Sequence, residues 1–344
     1  MLFSDPRHFS AMAGIDTAET GVGGAAEQAP LLRRAGYWLH LTRAVEEAGL
    51  RLYKQGRIPG SFYDGRGQEA IAVGSALALR ERDVAFPLIR DMGVHLVRGV
   101  PPEQVFRHYL GRAGGPLEGR DGNIHFGSPP HGTLPMVSHL PETIPVALGV
   151  ALGRAWRGED AVAIAYCGDG AANAGVWHES LNLGSIWKAP LVVLVERNEW
   201  AYMTRAASML SVGHIADRAA GYGIPAFSVD GNDVLAVHQT VESALEHARS
   251  GAGPALVEAW SYRMHGHGAH DGQRYVPEAE LEEWRGRDPL ARWHARARAE
   301  AGWTDVDQAD LERTVSGEIA EAVERALAAS YPDPAGLAPS VFAR

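Results

Sequence analysis

The stretch "AYCGDGAANAGVWHES", residues 165–180, continues an apolar run, "AVAIAYC" at 161–167. Such a run reads as a strand buried on both faces. A glycine-rich turn straight after a strand suits phosphate, because the following helix aims free N–H groups there. Here an acid, Asp169, stands between Gly168 and Gly170. A dinucleotide fingerprint needs glycine at 173, where the chain has Asn173, and no Gly-Lys-Ser/Thr follows for a P-loop. Asp169 would repel a bare diphosphate. A divalent cation between them removes the conflict, and Mg²⁺ favours a few protein oxygens plus phosphate oxygens. Further oxygens would come from the end of the next strand, "VERNEWAYM" (195–203), through the amide of Asn198 and the backbone carbonyl of Trp200. The three letters "GDG" alone fit an ordinary turn equally well. Asn198, one strand–helix–strand unit later, favours the cation.

Outward from this turn, strands and helices alternate. Apolar runs at 84–89, 191–196, 226–229 and 255–260 read as strands; helices fit 143–157, 173–188, near 214–222, and 232–249. Earlier helices fit Leu31–Tyr53 and 67–80. This rhythm predicts an α/β fold, a doubly wound and mostly parallel sheet with helices on both faces. One domain is expected over 31–344, with a helical C-terminal segment from about 278 and an N-terminal arm over 1–30 rich in Gly, Ala and acids. The stretch 111–141, rich in Gly and Pro, reads as a long functional loop.

Composition narrows the function classes. Of 344 residues, 32 are Lys or Arg and 42 Asp or Glu, so the net charge is 32 − 42 = −10, and no basic stripe suggests nucleic acid. The cluster Arg285 to Arg298 is interleaved with acids and reads as a solvated helix face. Cys167 is the only cysteine, which excludes an internal disulfide and allows a reducing compartment. No apolar run reaches the ~18 residues of a membrane span, and the N-terminus lacks a signal-peptide pattern; the cytoplasm is expected. Cys167 reads as a buried strand residue, not a nucleophile.

Gly-Asp-Gly followed by a distant Asn is the thiamine diphosphate motif, and the longer run "GDGAANAGVWHESLNLGSIWKAPLVVLVERNEWA" resembles the alpha subunit of the decarboxylating component of 2-oxo acid dehydrogenase complexes. "LYKQGRIPGSFYDGRGQEA", "LIRDMGVHLVRG", "GRDGNIHFG" and "YRMHGHGAHD" carry the resemblance from about residue 35 to 330. It implies the diphosphate-binding module of the thiamine diphosphate fold. It further implies that Asp169, Asn198 and the Trp200 carbonyl bind Mg²⁺. Gly168, Gly170 and Ala171 would line the diphosphate, with N–H groups from Gly170 and Ala171, and Arg90 would reach the cofactor. Backbone at Ser138 and Leu140 would contact its aminopyrimidine ring. Arg263 and His267 would serve the diphosphate and the mouth of the site, with His267 as a proton or hydrogen-bond donor. His125 would lie near the channel as a second catalytic histidine, with a structural histidine the alternative. His265 and His270 would support the loop's shape, although His-X-His-X-X-His also offers three metal ligands. Glu179 reads as structural or interfacial.

The family's activating glutamate lies on a separate pyrimidine-binding domain, and a chain with both domains needs far more than 344 residues. The resemblance therefore implies a beta subunit, an α₂β₂ heterotetramer, and a lipoyl domain or carrier protein as acceptor. Within the fold, an acetoin- or ketose-cleaving relative is the alternative. From another class, the alternative is a non-catalytic module that binds a phosphate ligand.

Overall fold

The computed structural model of the chain describes residues 25–121, 125–336 and 338–340. Its strands are β1 (Val84–Phe86), β2 (Ala163–Gly168), β3 (Leu191–Arg197), a short hairpin of β4 (Trp200–Ala201) and β5 (Thr204–Arg205), β6 (Ala226–Asp230) and β7 (Ala255–Trp260). Five of them form one sheet in the order β1-β2-β3-β7-β6. Every neighbouring pair in it is parallel.

The apolar runs are continuous because both sheet faces are covered. Ala163, Ala165, Cys167, Val193 and Val195 pack under α5 (Thr143–Trp156) and α6 (Gly175–Ile186). The alternate residues, Ile164, Tyr166, Val192 and Leu194, pack under α2 (Glu69–Leu77) and α7 (Val234–Arg249). The helices α1 (Ala25–Lys54), α3 (Met92–Val97), α4 (Pro102–Tyr109), α8 (Glu278–Arg285), α9 (Pro289–Glu300) and α10 (Asp305–Ala328) complete the set. Of these, α1, α4, α9 and α10 build a further apolar layer around Leu39, Phe106, Trp293 and Val315. The tail is helical because its helices are capped. Asp288 accepts from the N–H groups of Leu290 and Ala291 in front of Pro289, and Thr304 and Asp307 form a capping box. Among the described residues no helix is long and apolar enough to cross a membrane.

Several expected boundaries move. Residues 25–30 of the expected arm are helical, with Pro30 inside α1; residues 1–24 lie outside the described ones. One missing backbone bond so near a helix start is tolerated when the following turns are buried. β1 stops at Phe86 because Pro87 has no N–H to extend the ladder. The helix expected over 67–80 begins only at Glu69, after Gly67 takes φ +90° against the Tyr262 carbonyl, where a Cβ would crowd. A 3₁₀ turn over Ala171–Asn173 precedes α6, and Ile215–Tyr222 is 3₁₀ helix. The stretch 111–141 contains a 3₁₀ turn at Pro129–His131, and its residues 122–124 are outside the description.

The outer layer depends on close approach. A Cβ at Gly36 would overlap the indole of Trp293, whose Nε1 donates to the Leu32 carbonyl at 2.7 Å. Gly36→Ala should therefore destabilise the fold by about 1–3 kcal/mol through overpacking. Chemical denaturation checks this; an unchanged midpoint contradicts the packing of α1 on α9.

Candidate active site

Four adjacent strands end at one edge of the sheet, the place where parallel sheets bind ligands. Arg90 follows β1, Asp169 follows β2, Asn198 follows β3 and Arg263 follows β7. Asp169 is 1% exposed. Its Oδ1 accepts from the Gly170 N–H at 2.7 Å and the Glu199 backbone N–H also favours the carboxylate, while among the described residues the buried Oδ2 has no hydrogen-bond partner. Burial first, and then the Glu199 carboxylate, push its pKa up to about 6. Asn198 Oδ1 accepts from the Trp200 N–H at 3.2 Å, and its Nδ2 donates to Gln68 Oε1 at 2.8 Å. The Asn198 carbonyl accepts from the Arg263 N–H at 3.1 Å. Gly170 lies so close to Ala201 that a Cβ would overlap it, which locks the glycine turn onto the β4–β5 hairpin. That hairpin is held in an uncommon shape: Glu199 and Tyr202 take φ +67° and +52°. Non-glycine residues there cost energy and cluster at functional sites.

Arg263 is also 1% exposed. Its Nε donates to the His265 carbonyl at 3.1 Å, and Nη2 donates to the Tyr202 carbonyl at 2.8 Å and to the Tyr275 hydroxyl. Among the described residues its buried Nη1 has no hydrogen-bond partner. Burial pulls its pKa down, and Tyr275, Asp271 and Asp169 pull it back up. Arg90 donates to the Asp64 carbonyl at 2.9 Å and the His267 carbonyl at 2.6 Å, so it braces the histidine loop. His267 is pushed down to about 4 by burial, and further by Arg90 and Arg263. Its backbone N–H donates to Asp271 Oδ2 at 2.7 Å.

The loop's other histidines diverge from it. His265 Nδ1 meets Asp64 Oδ1 at 2.8 Å and His270 Nδ1 meets Ser61 Oγ at 2.9 Å. The three-histidine metal alternative is not formed: among the described residues no three His, Cys, Asp or Glu are grouped to hold a metal ion. His125 engages Asp121 and Ser138 within the stretch 111–141. Ser138, Leu140 and Glu179 are exposed. Cys167 is fully buried, its thiol pushed up to about 12 by that burial.

Residues 37–335 match the family described as the dehydrogenase E1 component. The chain belongs to that family. E1 components are oxidoreductases that use thiamine diphosphate. The chain is 34% identical over 291 residues to the acetoin:2,6-dichlorophenolindophenol oxidoreductase alpha subunit of Cupriavidus necator, covering 84% of this chain and 87% of that one. It is 33% identical over 310 residues to the pyruvate dehydrogenase E1 alpha subunit of Porphyra purpurea, covering 88% and 90%. It is 36% identical over 272 residues to the 3-methyl-2-oxobutanoate dehydrogenase alpha subunit of Mycobacterium tuberculosis, covering 78% and 71%.

This E1 chain also carries polar groups at its site that the sequence reading missed. Glu196 and Asp91 are buried, and their carboxyl groups hydrogen-bond to each other. Burial first, and then Asp91, hold the Glu196 pKa well above the usual carboxylate range. Burial raises the Asp91 carboxyl as well, so each acid of the pair holds its proton more tightly than a free carboxyl does. Glu196 ends the apolar run "LVVLVE", and a charge on a doubly buried strand was the available signal. Gln68, which holds Asn198, left no such mark.

The neutral His267 links the site to pH. Its folded pKa lies below the unfolded 6.5. Its contribution to stability is therefore fully present above about 6.5 and is lost as pH falls toward about 4. An NMR titration should find its imidazole uncharged down to about pH 4. A midpoint near 6.5 contradicts the half-buried placement beside Arg90 and Arg263.

Proposed function

We propose that this chain is the alpha subunit of a Mg²⁺- and thiamine diphosphate-dependent 2-oxo acid dehydrogenase that works with a beta subunit. One observation carries the reading: at the same sheet edge two buried groups of opposite sign, Asp169 Oδ2 and Arg263 Nη1, have no hydrogen-bond partner among the described residues. An isolated buried charge is costly, and a cation bound to an anionic ligand satisfies both groups at once. A metal–diphosphate pair fits that need. Asp169, the Asn198 amide oxygen and the Trp200 carbonyl would hold Mg²⁺, all hard oxygen donors. Arg263 would offer its remaining Nη1 to a phosphate oxygen, a charge-assisted hydrogen bond. Gly168 lets the backbone approach, and the Gly170 N–H is already engaged by Asp169, which leaves Ala171 better placed to donate to phosphate. Arg90 would act through the loop it braces, and Ser138 and Leu140 would meet the ring by their backbone.

When bound, thiamine diphosphate supplies a nucleophilic carbon and an electron sink for loss of CO₂ from a 2-oxo acid. His267, neutral at pH 7, can donate an N–H to a developing oxyanion on the substrate. His125 would act further out. The acyl group would pass to a lipoyl domain or a carrier protein. The lone buried thiol fits a reducing compartment such as the cytoplasm.

The partner is supported by an exposed apolar face. On α5, Val146, Gly149, Gly153 and Trp156 share one side; Val146 is 51% and Trp156 76% exposed, and a Cβ at either glycine would meet open space. Ile186 and Trp187 beside them are 65% and 52% exposed, with the two indoles 6.2 Å apart. Apolar clusters of this kind mark protein interfaces. The relatives above are all alpha subunits by name. A second reading, cleavage of acetoin, rests on the Cupriavidus relative.

The chain alone should turn over neither 2-oxo acids nor acetoin, and co-purification with a beta-type subunit should bring activity. Assays of pyruvate, branched 2-oxo acids and acetoin, read by CO₂ release and dye reduction, decide the substrate. Normal turnover by the chain alone contradicts the half-site. Trp187→Glu should leave the chain folded and prevent assembly, as sizing chromatography reads.

A further inference from the structure

A separate constellation lies in the stretch 111–141. His125 Nδ1 meets Asp121 Oδ2 at 2.9 Å, and its Nε2 is hydrogen-bonded to Ser138 Oγ. The order is acid, imidazole, hydroxyl. A carboxylate at Nδ1 selects the tautomer with hydrogen there, which leaves the Nε2 lone pair facing the hydroxyl. Ser138 is exposed, and the side chains of His125 and Asp121 are 33% and 34% exposed, so a ligand can reach the hydroxyl. The backbone next to His125 and next to Ser138 is anchored. Phe126 is buried, tilted against His95 and His108 at 4.4 and 4.8 Å. Near Ser138, the Val137 N–H donates to Thr143 Oγ1 at 3.0 Å, tying the segment to the start of α5. A hydroxyl, its base and the base's orienting acid are the parts of an activated nucleophile, and here the backbone beside the hydroxyl and beside the base is anchored.

We propose that Ser138 is a nucleophile toward activated acyl esters and thioesters, with His125 as its base and Asp121 as the positioning residue. Ser138 Oγ attacks the acyl carbon while His125 Nε2 takes its proton. The C–O or C–S bond breaks, and the alcohol or thiol leaves with that proton. Water, deprotonated by the same nitrogen, then releases the acid and restores the serine. No oxidant, reductant or metal is required. This activity requires no bound thiamine diphosphate and uses none of the side chains at the strand ends.

The test uses the full chain without cofactor, a fluorophosphonate probe, and mass spectrometry of the labelled peptide. One adduct on Ser138 is expected, with the P–F bond broken and fluoride released. The labelling rate should fall on the order of 10²-fold or more in His125→Ala, the scale of a lost general base. It should fall in Asp121→Asn and recover in Asp121→Glu, a rescue that a merely structural aspartate would not require. p-Nitrophenyl acetate should be hydrolysed in step with the labelling, and Ser138→Ala should do neither. No adduct on Ser138 in the unaltered chain, or labelling unchanged in His125→Ala, overturns the proposal.

Discussion

A carboxylate and a guanidinium that the fold buries without satisfying are the constraint on which the rest of the site depends. Among the described residues, Asp169 Oδ2 and Arg263 Nη1 sit in the protein interior without a hydrogen-bond partner. An interior group of that kind persists when its surroundings over-determine it. Here the surroundings are the parallel sheet. Strands β2, β3 and β7 are neighbours in register, so the residues just past their ends are forced together. Their apolar runs, covered on both faces, make that edge rigid.

The polar network around the pair keeps it in place. Gln68 holds Asn198, the Gly170 N–H holds one oxygen of Asp169, and backbone carbonyls and Tyr275 hold Arg263. Arg90 and Asp271 fasten the His267 segment from two sides. Burial holds the His267 pKa down and the Glu196 pKa up, with Arg90 adding to the first shift and Asp91 to the second. One physical cause, burial of ionisable groups at the end of a sheet, thus sets several protonation states.

The strands were legible in the sequence because burial on both faces writes uninterrupted apolar runs, as in "AVAIAYC" and "LVVLVE". The short helices α3 and α4 were not, because 6 and 8 residues do not complete a periodic pattern. The helix start before Pro30 was hidden by a residue that usually stands at a helix's first turn. At the site, Asp169 and Asn198 stood out since each closes its own strand. The Asp91–Glu196 pair and the Gln68–Asn198 bond join residues far apart in the chain, and only the strand order brings them together. Tyr275, which engages Arg263 from beyond the histidine loop, left no periodic trace.

The central claim is that the two open valences are completed by a cation and an anionic phosphate acting together. Calorimetric titration of thiamine diphosphate, in Mg²⁺ and again in excess chelator, tests it most directly. The account predicts binding heat with Mg²⁺ and none with chelator, and loss of the Mg²⁺-dependent heat in Asp169→Ala. Equal affinity with and without the cation would contradict it.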